Sequence, residues 1–179
     1  MGVWVRLFLA LAAAGTTAGC FQPLYSQQPV TGSPAVSSAL ENVDVLQIGA
    51  PTGMEDARIA VELRNQLLFA LQGGSGGGSP THTLKITLTT SRATTSVDLQ
   101  TGRSSTDIYT LYAAYQLLDL RTDKTVLRGT AAAPVSYDTP GEQQRFARQR
   151  ALRDAENRAA GLIAQTVKGR LASFFIAGS

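Results

Sequence analysis

Three observations predict an α+β fold: a two-layer sandwich whose four-stranded, mainly antiparallel sheet carries two helices on one face in the order β-α-β-β-β-α. Ile59, Leu63, Leu67 and Leu71 recur every four residues, the spacing of one face of a helix. Leu84, Ile86 and Leu88 alternate with Lys85, Thr87 and Thr89, the period-two pattern of a half-buried strand. The last forty residues open on a strong helix-start signal and then carry one long apolar stripe. Between these helices, consecutive apolar runs joined by short turns read as an antiparallel meander.

Taken in order, Val43, Val45 and Ile48 suggest a short first strand ended by Gly49-Ala50-Pro51. Thr52 and Glu55 have the spacing of a capping box, and Asp56 adds a second acid to the first turn of the helix that follows. Gly73 to Ser79, reading GGSGGGS, ends that helix as a surface loop; it lacks the Lys-Ser/Thr pair of a phosphate loop and leads into a strand. The second strand continues to about Val97, with a turn at Thr101-Gly102. Ile108 to Leu120 follows as a strand apolar in both phases: Tyr109, Leu111, Ala113, Tyr115 and Leu117 in one, Ile108, Tyr112, Ala114 and Leu118 in the other. Both of its faces are therefore expected to be covered. Asp123-Lys124 turns the chain into a strand from Val126 to Tyr137, where Gly129, Ala131 and Ala133 leave room for a helix to approach.

The last helix is expected from Pro140 to Phe175, about 54 Å at 1.5 Å per residue. Thr139 is the cap, Pro140 the first helical residue, and Glu142 completes the box. Its stripe is Phe146, Leu152, Ala155, Ala159, Leu162, Ile163, Val167, Leu171 and Phe174, with Gly161 and Gly169 as places where it can bend.

Ahead of the fold, Arg6, the apolar run Leu7 to Ala14 and the small residues before Cys20 compose a signal peptide ending in the lipobox-like Thr17-Ala18-Gly19-Cys20. The run is too short to span a bilayer. Residues 1–19 are expected to be removed and Cys20, the one cysteine, to carry acyl chains. Residues 20–41, rich in Pro, Ser, Gln and Gly, then form an extended tether, and 42–179 a single domain. The mature chain of about 160 residues is enough for one such domain. The formal charge of +3 falls by one with Arg6, too mild a balance to imply nucleic acid.

No catalytic constellation assembles. His82 is the one histidine, without a second His or Cys to complete a metal site, and acylation would consume the Cys20 thiol. The carboxylates have ordinary structural uses: caps (Glu55, Glu142), turns (Asp98, Asp119, Asp123, Asp138) and helix surface (Glu62, Asp154, Glu156). The reading is a binding protein with no metal or cofactor beyond the covalent lipid. Arg145, Arg148, Arg153, Arg158 and Lys168 mostly avoid the apolar stripe and could meet phosphates, or could pair with Asp154 and Glu156 on a solvated face.

The start CFQPLY, the element order, Tyr115-Gln116-Leu117-Leu118-Asp119 and the final YDTPGEQQRFARQRALRDAENRAAGLIAQTVKGRLASFF together resemble the LptE family of lipopolysaccharide-assembly lipoproteins, in its alphaproteobacterial form. The likeness covers nearly the whole mature chain. It implies a non-enzymatic outer-membrane lipoprotein on the periplasmic face that plugs the LptD β-barrel, helps it fold and binds lipopolysaccharide. The absence of Asp after Cys20 agrees with outer-membrane sorting. For lipopolysaccharide contact, the resemblance points to the second hairpin and the start of the last helix, where Arg103, Arg145 and Arg148 are the basic candidates. Two rival classes remain: an auxiliary lipoprotein of a phospholipid-transport ABC system, and a lipid-anchored periplasmic hydrolase.

Overall fold

The computed structural model describes residues 36–49, 53–73, 78–97, 104–139 and 144–177, with the backbone alone at 54, 55, 96, 97, 104 and 105. Its elements are α1 (Val36–Glu41), β1 (Val43–Val45), α2 (Gly53–Gln72), β2 (His82–Val97), β3 (Ser104–Asp119), β4 (Lys124–Asp138) and α3 (Arg145–Ala177). The strands form one sheet in the order β1-β2-β3-β4. β1 runs parallel to β2, and the other two pairings are antiparallel. This is the expected α+β sandwich with one helix added. The stretch from Val36 to Glu41, expected to be extended, is a helical turn and a half because Leu40 has an apolar surface to sit on, and is 1% exposed.

The periodic readings hold where the period was unambiguous. On α2, Ile59, Leu63, Leu67 and Leu71 are all buried, and on β2 so are Leu84, Ile86 and Leu88, while Lys85, Thr87 and Thr89 are exposed. Gly73 ends α2 as its spacing implied: its φ of 62° is left-handed and its N–H donates to the Phe69 carbonyl at 2.9 Å, a helix end that glycine adopts without strain. The cap residue Thr52, the expected first helical residue Pro140, Glu142, the Glu55 side chain, and the Thr101-Gly102 turn lie outside the described residues.

β1 is shorter than expected, yet Ile48 is still buried and Gly49 forms an isolated parallel bridge to Thr87, so the chain keeps following β2 after regular pairing ends. The two phases of β3 separate cleanly. Tyr109, Leu111, Ala113, Tyr115 and Leu117 are buried under the helices, but Tyr112 is 46% exposed and Ala114 is exposed on the opposite face. The expectation of two covered faces fails because all three helices lie on one layer and the described residues provide nothing to cover the other.

α3 packs across α2, β3 and β4. Its 33 residues span about 50 Å and the 16-residue strands about 53 Å, so one helix runs the length of the sheet. Its buried stripe consists mainly of alanines: Ala155, Ala159, Ala160, Ala164 and Ala172, joined by Ile163, Val167 and Leu171. Small side chains let its backbone come close to the sheet. Of the expected stripe, Leu152 and Phe174 are only partly buried against this core, and two members are exposed. Phe146 is 84% exposed because the first turns of α3 run out past the core, and Leu162 is 52% exposed because the buried rows step by four and leave residue 162 at their edge.

Of the small residues on β4, Ala131 and Ala133 lie beneath the helical layer, buried, as expected. Gly129 serves a different neighbour. It stands opposite Tyr115 in the β3–β4 register, and a Cβ there would meet the Tyr115 hydroxyl and come within 2.6 Å of its Cζ. The glycine makes the bed for that buried ring. Gly129→Ala is expected to cost about 1–3 kcal/mol through overpacking. Urea unfolding followed by circular dichroism checks this, and an unchanged midpoint would show that the ring moves aside freely.

Candidate functional site

Beyond Leu88, the helix-facing phase of β2 continues through Thr90 into Arg92. The matching phase of β3 reaches Asp107 beyond Tyr109, since Arg92 pairs with Tyr109 and Thr94 with Asp107. Charged side chains therefore take over the inner layer where the apolar core ends. Here α3 begins, and with Arg145 and Arg148 it closes a cleft of about 390 Å³ over Arg92, Asp107, Tyr137 and Leu152. Three guanidinium groups face one carboxylate across this opening. Tyr137 donates to Asp107 Oδ2 at 3.4 Å, and its hydroxyl is raised above the ordinary phenol range by burial first and by Asp107 second.

Behind the cleft sits Glu156. The sequence placed it on the helix surface, yet it is 4% exposed. It pairs with Arg58 of α2, and Arg92 of β2 stands 3.8 Å away, while the second Arg58 nitrogen donates to Asn157 at 3.0 Å. A carboxylate this buried is stable only when charge partners and hydrogen bonds replace its water, and arginines from two other elements supply them. The correction has a plain cause: residue 156 falls on the row between α2 and the sheet. Tyr109 beneath it stays protonated, its pKa pushed up by burial and then by Glu156 and Asp56. Asp154, by contrast, is on the surface and forms an i,i+4 pair with Arg158 at 2.8 Å.

Of the three arginines expected to meet lipopolysaccharide, Arg145 and Arg148 come together in the cleft, and Arg103 lies outside the described residues. Sequence reasoning missed Arg92. Its signal was a cation occupying the buried phase of an alternating strand, which calls for a partner or a ligand. At the opposite end of the molecule, His82 packs edge-on against Phe175, with ring centroids 5.2 Å apart, and burial lowers its pKa below the usual histidine value. Among the described residues, no group of three or more His, Cys, Asp or Glu is placed to hold a metal, and no helix is long and apolar enough to cross a membrane. Cys20 lies outside the described residues.

The domain is thus an open sheet under a single helical layer, with a cationic cleft where the core ends. The LptE lipopolysaccharide-assembly family model matches residues 40–171, and the chain belongs to that family, a non-enzymatic family of lipoproteins. Solved structures share the fold. A lipoprotein from Caulobacter crescentus CB15 is 22% identical, with 80% of this chain and 97% of that one covered and a TM-score of 0.62. A minor lipoprotein from Acinetobacter baumannii is 16% identical over 74% and 92%, TM-score 0.54. Rare lipoprotein B from Shewanella oneidensis is 11% identical over 75% and 96%, TM-score 0.53. No curated protein matches the sequence at a significant level.

Proposed function

We propose that this lipopolysaccharide-assembly lipoprotein is anchored by acyl chains on Cys20 to the periplasmic face of the outer membrane. There it plugs and helps assemble an LptD-type β-barrel and binds lipopolysaccharide. The observation that carries the ligand half is the cleft of Arg92, Arg145 and Arg148 against the single carboxylate of Asp107. Planar guanidinium groups suit the phosphates of lipid A, which they can hold by two parallel hydrogen bonds each. The barrel half is supported by the family and by the uncovered sheet face, where Tyr112 stands 46% exposed on a strand that is apolar in both phases. Such a face is at home against a surrounding wall.

Purification of the full-length protein from outer membranes after crosslinking tests this reading. A large barrel protein and lipopolysaccharide are expected to come with it; an inner-membrane ABC complex in their place would support the phospholipid-transport alternative. The cleft has its own test. Reversing charge at Arg145 and Arg148 together should weaken lipopolysaccharide binding by about tenfold or more at low ionic strength. At 1 M salt the difference should shrink, because the screening length falls to about 3 Å. Equal affinity of variant and wild type at both salt concentrations would remove these residues from the site.

A further inference from the structure

The sheet face turned away from the helices holds a second polar constellation, on the opposite layer from the arginine cleft. Lys85 pairs with Gln116 across β2 and β3, and Gln116 with Arg128 across β3 and β4, so three polar side chains line one rung of the sheet. All three are exposed, and among the described residues nothing hydrogen-bonds or ion-pairs with them. Two strand spacings separate the Lys85 and Arg128 backbones, about 10 Å, a gap that both long side chains can close upon one ion.

The next rung is made small. Thr87, Ala114 and Thr130 form the floor of a depression of about 360 Å³ that the Lys85, Gln116 and Arg128 side chains wall at one end. One rung further along the same face, outside the depression, stands the half-exposed Tyr112. Of the carboxylates, Asp44 stands one rung back on β1, and Asp138 at the far end of β4. The rung therefore offers two cations and an amide to an anion, followed by a shallow shelf with an aromatic side chain beyond it.

We propose that Lys85, Gln116 and Arg128 bind a phosphomonoester, and that the shelf over Thr87, Ala114 and Thr130 takes the sugar or glycerol carrying it. A phosphomonoester approaches two negative charges at neutral pH, matching the two cations. Arg128 can hold two of its oxygens by parallel hydrogen bonds, Lys85 supplies a compact charge, and the Gln116 amide donates to the third oxygen. The site is separate from the arginine cleft and stands whether or not that cleft binds lipopolysaccharide. Its ligand could be a soluble phosphate ester or the headgroup of a phosphorylated lipid, and the test separates the two.

The full chain in detergent is titrated with inorganic phosphate and with glycerol 3-phosphate while the Ala114 and Gln116 amide resonances are followed. In parallel, flotation of the Cys20→Ala chain, which would lack the acyl anchor, is measured with phosphatidylcholine vesicles with and without phosphatidic acid. Saturable shifts with the small anions mark a soluble ester; flotation that requires phosphatidic acid, without such shifts, marks a headgroup. In either case the K85Q/R128Q double variant should weaken binding by about tenfold or more. The R145Q/R148Q variant should leave the response of the Ala114 and Gln116 resonances to these probes unchanged, and both variants should melt like wild type because all four positions are exposed. Binding unaffected by K85Q/R128Q, that resonance response lost instead in R145Q/R148Q, or no binding of any of these probes would overturn the assignment.

Discussion

Proline at position 155 is expected to unfold the domain outright. Ala155 is fully buried in the eleventh position of α3, the helix that packs along β3 and β4. Proline removes the hydrogen bond from its N–H to the carbonyl four residues back and drives its ring into that carbonyl, at a cost of about 3 kcal/mol or more. The added ring atoms also enter a fully enclosed site, a further cost of about 1–3 kcal/mol. The neighbouring Glu156 would lose its fixed place between Arg58 and Arg92, leaving buried charge without its partners. Against a typical net stability of about 5–15 kcal/mol, that combination removes most or all of the margin. Urea denaturation monitored at far-ultraviolet wavelengths measures it. A loss under about 1 kcal/mol would mean that α3 is not the continuous element on which the sheet depends.

Cys20→Ala is expected to have the largest effect on location. Acyl chains on that residue, as proposed, would hold the protein to a bilayer through burial of their methylene groups, about 0.8 kcal/mol each, and two or three chains would make release negligible. Without them, nothing among the described residues provides a spanning helix. The variant should incorporate no labelled palmitate and should appear in the soluble periplasmic fraction. Palmitate incorporation into the variant would show that lipid is attached elsewhere or not through a lipobox.

Much of the fold was legible because the period of its apolar residues had one interpretation. The four-residue spacing from Ile59 to Leu71 and the alternation from Leu84 to Leu88 each bury the residues they name. Where a segment was apolar in both phases, as in β3, the sequence could not distinguish a strand buried on two sides from one buried on a single side. The exposed Tyr112 answers that only in three dimensions. On the long α3, a stripe drawn through large side chains took in Phe146 and Leu162, whereas packing uses the alanines, because close approach to the sheet outweighs side-chain size.

The candidate site was partly readable. Arg145 and Arg148 were visible as cations at a helix start, and they do line the cleft with Arg92. The Glu156 cluster was not readable, since Arg58 and Arg92 reach it from elements 98 residues away for Arg58 and on another strand for Arg92. The rung of Lys85, Gln116 and Arg128 was hidden for the same reason. Its members adjoin only through strand register, which short-range spacing does not encode.

The central claim is enclosure by a barrel, and site-specific photocrosslinking in intact cells tests it most directly. One crosslinker replaces Tyr112 on the open sheet face, and another replaces Val61, 60% exposed on α2 in the helical layer. A plug is surrounded, so both positions should capture the same large outer-membrane β-barrel. Capture from one layer only, or of an inner-membrane transport complex, would contradict it.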